Sequence, residues 1–351
     1  MLALPTLLRS PDDLAALVPS WRALVAATPG TSYFCTPDWV LGWAESLGAA
    51  VAAGAVVAVW RGEDGAASAV VPLSRSRERL HPRLPGGVER WTLLGTGPGA
   101  ADHCGFAVAP ERREDVRAWL ASLARRRTMV FPHLDAGTGE PYLPPGAREI
   151  ERTACPVMPA DPDALGSARH RQQVRRKARK LAGEGVTFTW VAPGTMEPDV
   201  FDELLRLHRA RRETVGGASA FDASRRPLHD ALAARADDGR GPCALVARDA
   251  AGTAVGVLYG FLWQDTFAYY QLGWDPRYAQ ASLGTVLFHE TLTALAARDV
   301  RTFDFLRGAE EFKHRFGATD RHDSTWLVAR GPGGALLAAK AAARRVRAGR
   351  R

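Results

Sequence analysis

The chain has 351 residues, of which 46% are hydrophobic and 24% are charged, a composition ordinary for a soluble protein and long enough for two domains with cores of their own. Lysine and arginine outnumber aspartate and glutamate by 46 to 38, and the net charge of +8 favours anionic partners such as CoA phosphates, nucleic acid or anionic lipid. No apolar run reaches the roughly 18 residues of a transmembrane helix, and the N-terminus lacks the basic start of a signal peptide. The four cysteines are widely spaced, so we expect reduced thiols in a cytoplasmic protein.

The first 150 residues alternate between helical and extended patterns. Segment 12–27 predicts a helix because Leu17, Trp21 and Leu24 recur on one face. Further helices are predicted from Thr36 onward and at 111–127, and strands at 56–60, 69–73 and 91–94.

An adjacent acid and histidine, Asp102 and His103, lie in a glycine-rich loop of this first half. Such a pair belongs either to a polar loop at a strand end or to a catalytic site, and no partner nucleophile accompanies it. We keep Asp102 as a candidate substrate-binding residue.

A connector rich in proline and glycine occupies residues 132–162 and marks a boundary between two halves. We therefore expect an N-terminal lobe at 1–150, a C-terminal lobe at 151–335 and a basic tail at 336–351. The tail carries no acid after residue 336, so weak contact with a membrane surface is an alternative to a solvated end.

The most charged stretch, residues 167–181, predicts a helix with Val174, Ala178 and Leu181 as a narrow apolar stripe. Seven cations crowd its other faces, and three interpretations stay open. The helix is a solvated basic face, a grip on nucleic acid, or a clamp for an anionic donor or acceptor, in which Arg175 is the candidate substrate-binding residue.

The segment 268–317 organises the second half as strand, turn, helix and strand. Ser282 precedes the helical pattern as a predicted N-cap, and Phe288 and Leu292 begin its apolar face. The free N–H groups and the dipole at such a helix start bind anions, and Ser282, Gly284 and Thr285 are small enough to admit a pyrophosphate.

Two motifs in this half carry a resemblance to a known family. The order of hairpin, loop, helix and strand resembles the acyl-CoA-binding half of GNAT acyltransferases, with Gly284 in the place of a pyrophosphate-loop glycine and Ala281 in the place of the leading Arg or Gln. The sequence DFLRGAEEFKHRFG at 304–317 resembles the Asp-Phe-x-x-Gly…Tyr-Lys-x-x-x-Gly pattern of the CelD/BcsL-like group of cellulose and exopolysaccharide biosynthesis, relatives of FemAB-type transferases. The resemblance extends over roughly 19–330.

The resemblance implies an α/β (α+β) fold of two tandem GNAT-like lobes, each a mixed, mostly antiparallel sheet flanked by helices. It implies an N- or O-acyltransferase that moves an acetyl or other acyl group from acyl-CoA, as co-substrate, to an amine or hydroxyl of a sugar, cell-envelope or polysaccharide precursor. The residues expected at the donor are Leu272, Gly273, Gln280, Ser282, Leu283, Gly284 and Thr285.

Acyl transfer also needs a proton acceptor, and Asp304, between two phenylalanines at a strand end, is the first candidate. The alternative is that Asp304 pairs structurally with Arg307 or Lys313. Tyr270 and His208 are the next candidates, and Lys313 is expected to bind an anionic acceptor or the acyl carbonyl. The acceptor-binding candidates are Arg175, Arg307, Lys313 and Asp102.

No zinc-ligand spacing, P-loop or nucleophile elbow is present, so we expect no metal and no covalent intermediate. Two other functions stay open. One is a FemAB-like transferase that uses aminoacyl-tRNA, with the basic helix holding the tRNA. The other is a catalytically inactive GNAT-fold protein that binds a polysaccharide or lipid-linked sugar.

Overall fold

The computed structural model of the chain describes residues 2–47, 53–79, 87–97, 101–215 and 221–348. Part of the predicted glycine-rich loop, at 98–100, and the end of the predicted tail, at 349–351, lie outside these residues. In chain order the strands are β1 (Thr6–Leu8), β2 (Ala55–Arg61), β3 (Ala67–Glu78), β4 (Val88–Leu93), β5 (Ala107–Val108), β6 (Met129–Asp135), β7 (Arg148–Pro159), β8 (Thr187–Val191), β9 (Gly241–Arg248), β10 (Ala254–Trp263), β11 (Thr266–Trp274), β12 (Thr302–Asp304) and β13 (Thr319–Val328). The helices are α1 (Pro11–Ala27), α2 (Pro37–Leu47), α3 (Arg113–Ala124), α4 (Ala168–Gly183), α5 (Pro198–Val215), α6 (Arg226–Ala233), α7 (Leu283–Ala296), α8 (Glu311–Arg315) and α9 (Gly331–Ala348).

These elements form two compact units, one of residues 1–153 and 322–351, the other of residues 154–321. The sequence instead assigned residues up to 335 to the second lobe and the rest to a separate tail. The difference arises at β13, where Asp323 pairs with Asp135 and Val328 with Met129 of β6. Residues 331–348 then form α9 rather than a loose tail, with Leu337 buried.

The first unit has a sheet in the order β1-β2-β3-β4-β6-β13. Neighbouring strands are antiparallel except for β4 and β6, which are parallel. Ser10 caps α1 by accepting the Asp13 N–H, which satisfies one of the free donors at the helix start. Trp21, Trp39 and Trp60 are among the largest side chains buried in the core of this unit.

The second unit has a sheet in the order β7-β12-β11-β10-β9-β8, antiparallel except for the parallel pair β11 and β12. Val174 of α4 and Leu287 of α7 share one apolar core with Leu272 of β11, so these helices cover one face of the sheet. Successive residues of a strand point to opposite faces, and the next residue, Gly273, lies against α5, which therefore covers the other face. The expected fold class, mixed α/β with mostly antiparallel sheets flanked by helices, is confirmed.

Two further properties concern the described residues as a whole. Within them, none of the helices combines the length and the apolar character needed to cross a bilayer. The four cysteines are all buried, and none forms a disulfide.

The contact between Gly273 and α5 gives a prediction about stability. A Cβ atom at this position would lie 2.7 Å from the backbone nitrogen of His208 and 2.9 Å from the backbone oxygen of Leu204, neither of which can rotate away. We expect Gly273→Ala to lower the free energy of unfolding by about 1–3 kcal/mol, the usual cost of overpacking. The measurement is denaturant unfolding.

The matched control is Gly183→Ala at the end of α4, where a Cβ would meet nothing within 4 Å. Since alanine favours a helix over glycine, this variant should be neutral or slightly more stable. Equal stability of both variants would contradict the close approach of β11 to α5.

Candidate active site in the second unit

One edge of β11 is only partly paired with its neighbouring strand in the sheet. The parallel pairing with β12 runs only from Thr266 to Ala268, opposite Asp304. After Asp304 the chain stays bonded to β7 on its other side, since the Phe305 N–H donates to the Pro156 carbonyl at 2.9 Å and the Gly308 N–H to the Ala154 carbonyl at 3.0 Å, but its pairing with β11 does not continue. The rest of β11, beyond Ala268, therefore diverges from β12.

The backbone of Leu272 marks this open edge. Its N–H donates to the Gln271 side chain at 3.0 Å, and its carbonyl lies 3.5 Å from Nδ1 of His208. Both groups thus contact side chains rather than a neighbouring strand. An extended ligand that lies along β11 can replace such contacts, as an added strand would.

A β-bulge in β11 lies beside the same edge. Tyr259 and Gly260 are consecutive in β10, yet their partners Gln271 and Tyr269 in β11 are separated by Tyr270. A bulge redirects the side chain at the extra residue. The partly exposed ring of Tyr270 accordingly packs with Phe261, at 5.1 Å between ring centroids.

The start of α7 follows β11 and supplies hydrogen-bond donors. The N–H groups of Leu283 and Gly284 donate to no group in the described part of the chain, as expected for the first turn of a helix. Ser282 is at the N-cap position, as predicted, but it is left-handed at φ 55° and its side chain caps no N–H. Its hydroxyl instead accepts a hydrogen bond from the Lys177 ammonium of α4.

Lys177 is the residue of the basic helix that reaches this helix start, whereas Arg175 is exposed and pairs with Asp163. The spacing of the seven cations does not show which of them reaches the start of α7, so the sequence could not distinguish Lys177 from Arg175. The indole of Trp274 adds a second neighbour, since a Cβ on Gly284 would lie 3.0 Å from its Nε1. Arg211 lies over the Trp274 ring at 5.6 Å.

Asp304 is 1% exposed at the point where β11 and β12 separate. Its Oδ1 accepts the Leu306 N–H at 2.8 Å, and its Oδ2 lies 3.8 Å from the guanidinium of Arg321. Leu306 is in the left-handed region, at φ 55°, so this bond holds a strained turn of the chain. The carboxylate thus combines a position near the open edge with a structural contact.

Lys313 is enclosed rather than directed to a ligand. The side chain is 2% exposed, and its ammonium donates to the carbonyls of residues 305–308 at 2.9–3.4 Å. It also pairs with the Glu310 carboxylate at 2.8 Å. This geometry favours a structural role for Lys313 in the loop over the predicted contact with an acceptor.

His208 lies in α5 near the open edge and is 9% exposed. Burial lowers the pKa of its imidazole below the usual value, the contact with the Leu272 carbonyl raises it, and the Arg212 and Arg211 charges lower it further. The ring is therefore neutral near pH 7, which is the state that a proton acceptor needs.

Other candidates are more peripheral. Gln280 is exposed in the turn before α7, and Arg307 and Thr285 are partly exposed. Asp102 is buried in the first unit, and its neighbour His103 bonds to Asp323 through both its backbone N–H, at 2.6 Å, and its Nδ1, at 2.8 Å. The structure therefore brings Tyr270, His208, Leu272 and the start of α7 around one edge and leaves Arg175 outside it.

Comparison with known proteins finds a family similarity within the second unit. Residues 168–314 match the family model described as an acetyltransferase (GNAT) domain. This stretch is therefore similar to GNAT domains. No curated protein matches the chain in sequence. The match begins at α4 and ends within α8, so the matched stretch contains the open edge, the bulge and the start of α7.

Solved structures share the fold over nearly the whole chain. FemX has a TM-score of 0.64 at 11% identity, covering 92% of this chain and 97% of its own. The C-terminal domain of a putative lysylphosphatidylglycerol synthetase from Agrobacterium fabrum has a TM-score of 0.59 at 13% identity, covering 94% and 96%. A tandem GNAT protein from the clavulanic acid biosynthesis pathway has a TM-score of 0.50 at 16% identity, covering 93% and 98%. Each of these structures is less than 25% identical to the chain, so the similarities show a shared fold.

The enclosure of Lys313 gives a second prediction. Lys313→Met removes the ammonium while keeping most of the side-chain volume, so the loop carbonyls lose their donor. We expect the free energy of unfolding to fall by about 1–3 kcal/mol, the cost of leaving buried polar groups without partners. Thermal or denaturant unfolding measures this loss.

The control is Lys340→Met in α9, where the ammonium pairs with Glu78 at the surface of the first unit. Its cost should stay below about 1 kcal/mol. A Lys313→Met protein of unchanged stability that binds its acceptor more weakly would restore the role in acceptor binding predicted from the sequence.

Proposed function

We propose that the protein transfers an acyl group from acyl-CoA to an amine or hydroxyl of a sugar, cell-envelope or polysaccharide precursor, as the resemblance to the CelD/BcsL-like group implies. The observation that carries this proposal is the meeting of an open strand edge with a helix start. The N–H groups of Leu283 and Gly284 and the ammonium of Lys177 stand at that start. The four reduced, buried cysteines agree with a cytoplasmic setting.

The donor would be held in two parts. Its pyrophosphate would accept hydrogen bonds from Leu283 and Gly284 and face Lys177, with Ser282 and Thr285 beside it. Ala281 stands in the place of the leading Arg or Gln and carries no charge, so Lys177 would supply the positive charge. The pantetheine chain would lie along β11 at Leu272 and Gly273, where a backbone N–H could stabilise the oxyanion of the transferring carbonyl.

The attacking amine or hydroxyl must lose a proton. Asp304 is our first candidate for the base because it lies where β11 and β12 separate. His208, neutral and 3.5 Å from the Leu272 carbonyl, and Tyr270, at the bulge, are the alternatives. Arg307, partly exposed in the loop after Asp304, is a candidate for acceptor binding.

The donor site gives the third prediction. Gly284→Asp would introduce a carboxylate where the pyrophosphate binds, so we expect calorimetry with acetyl-CoA to detect no binding. Gly284→Asn is the control of equal shape, because either side chain must displace Trp274. We expect the Asn variant to keep measurable binding and both variants to unfold at similar temperatures. Equal affinity of the two variants would place the donor elsewhere.

Asp304 gives the fourth prediction. Asp304→Asn keeps an oxygen that can accept the Leu306 N–H but removes the base. We expect acetyl-CoA binding to be retained and turnover to fall by about 10²-fold or more, the range for loss of a general base.

Two results would contradict that role. An unfolded Asp304→Asn protein would make the carboxylate structural, through Leu306 and Arg321. A folded variant with normal turnover would move the base to His208 or Tyr270, which His208→Gln and Tyr270→Phe would then separate.

The second candidate function is a FemAB-like transfer from aminoacyl-tRNA. The observation that favours it is the exposed basic face of α4, with Arg169, Arg176 and Arg179 at the surface. Arg175→Gln with Arg176→Gln should then remove tRNA binding in a gel shift at physiological salt. Binding of tRNA without binding of acetyl-CoA would favour this function. Binding of neither would favour a catalytically inactive sugar-binding protein.

A further inference from the structure

A buried histidine of the stretch that matches the GNAT model has a nitrogen without a hydrogen-bond partner among the described residues. His229, in α6, is 3% exposed, and its Nδ1 lies 2.8 Å from the Tyr259 hydroxyl. Its Nε2 has no hydrogen-bond partner in the described part of the chain. Leaving such a group buried costs about 1–3 kcal/mol, so it calls for an explanation in function or in a ligand.

The surroundings of His229 are aromatic. The Phe201 ring stacks on the imidazole at 4.4 Å between centroids, and Phe261 lies parallel to it at 6.3 Å. Tyr270 and Phe221 meet it edge to face at 5.5 and 5.7 Å. The imidazole is thus a polar group set among flat apolar faces, which is how small-molecule sites are commonly built.

The charge state of His229 narrows what it can recognise. Burial, followed by the charge of Arg225, lowers the pKa of the imidazole to about 3. The ring is therefore uncharged near neutral pH and is too weak a base to accept a proton in catalysis. The uncharged ring offers one hydrogen bond. A charged ligand group brought into the same aromatic surroundings would lose its hydration, so the site favours an uncharged ligand.

The aromatic cluster reaches the surface beside the open edge of β11. Phe201, Tyr259 and Phe261 are buried, whereas Phe221 and Tyr270 are partly exposed. Tyr270 is the bulge residue of β11. Phe221 and Tyr270 pack edge to face at 6.2 Å between ring centroids, so a molecule that approaches His229 from this edge would have to displace one of these two rings.

We propose that His229 recognises the acceptor through its Nε2 and that the acceptor carries an uncharged, hydroxylated ring, as in a sugar. The apolar face of the ring would lie on the aromatic side chains, and one hydroxyl would complete the hydrogen bonding of the imidazole. Tyr259 holds the other nitrogen and so fixes the orientation of the ring. The role as acceptor site rests on the proposed acyl transfer, whereas the binding of a sugar does not.

The binding is tested without donor, by NMR of the protein labelled with ¹⁵N in its histidines. The probe is N-acetylglucosamine, an uncharged sugar. We expect the Nε2 signal of His229, identified by its loss in His229→Gln, to shift in a saturable manner. No shift of this signal at any soluble concentration of the sugar, or shifts confined to other histidines, would overturn the proposal.

A pair of variants separates recognition from structure. His229→Phe combined with Tyr259→Phe removes both partners of the Tyr259 bond and the unsatisfied Nε2. Such a double change is nearly neutral or stabilising for the fold. We expect an unchanged or higher melting temperature, about tenfold or weaker affinity for N-acetylglucosamine, and unchanged affinity for acetyl-CoA.

Tyr259→Phe alone is the matched control, because it leaves Nε2 in place, and it should keep most of the sugar affinity. Full sugar affinity in the double variant would overturn the proposal, as would an equal loss in Tyr259→Phe alone. If the double variant does not fold, the NMR titration of the unaltered protein decides. Acetyl-CoA binding without sugar binding refutes this inference alone, and sugar binding without acetyl-CoA binding refutes the proposed donor alone.

Discussion

The parallel contact between β11 and β12 lasts for three residues, and the candidate site depends on that shortness. A longer ladder would fill the edge of β11 with backbone hydrogen bonds and leave nothing for a ligand. The ladder ends where Leu306 turns into the left-handed region, while the chain stays bonded to β7 on its other side. One turn of the chain thus decides where β11 is open, and α7 begins just beyond that opening.

The loop that makes this turn is stabilised from two sides. On one side the Lys313 ammonium donates hydrogen bonds to the carbonyls of residues 305–308. On the other, Phe305 packs with Phe303 at 4.8 Å and with Phe288 at 5.8 Å between ring centroids. The Asp-Phe and Phe-Lys pieces of the sequence motif therefore meet in space, and their joint effect is to fix the path of the backbone. The motif therefore indicates the backbone path around the candidate site as well as residues for its chemistry.

The sequence predicted the parts of this architecture that depend on local periodicity. The helices α1, α4 and α7 follow from apolar residues at helical spacing. What it could not predict depends on contacts between distant residues. The choice of Lys177 over Arg175 is set by how α4 packs on α7, and the return of β13 to the first unit by its pairing with β6. The bulge at Tyr270 and the unsatisfied Nε2 of His229 likewise appear only once strand register and packing are known.

The burial of the four cysteines has a consequence for the proposed transfer from a thioester. Burial raises the pKa of the Cys35 and Cys243 thiols, so the thiolate, which is the reactive form, is scarce at both. Transfer from a thioester liberates a free thiol in the cleft, and under oxidising conditions such a thiol forms mixed disulfides with exposed protein cysteines. Here the liberated thiol would meet no exposed cysteine, so the protein would be protected from forming a mixed disulfide with the product of the proposed reaction.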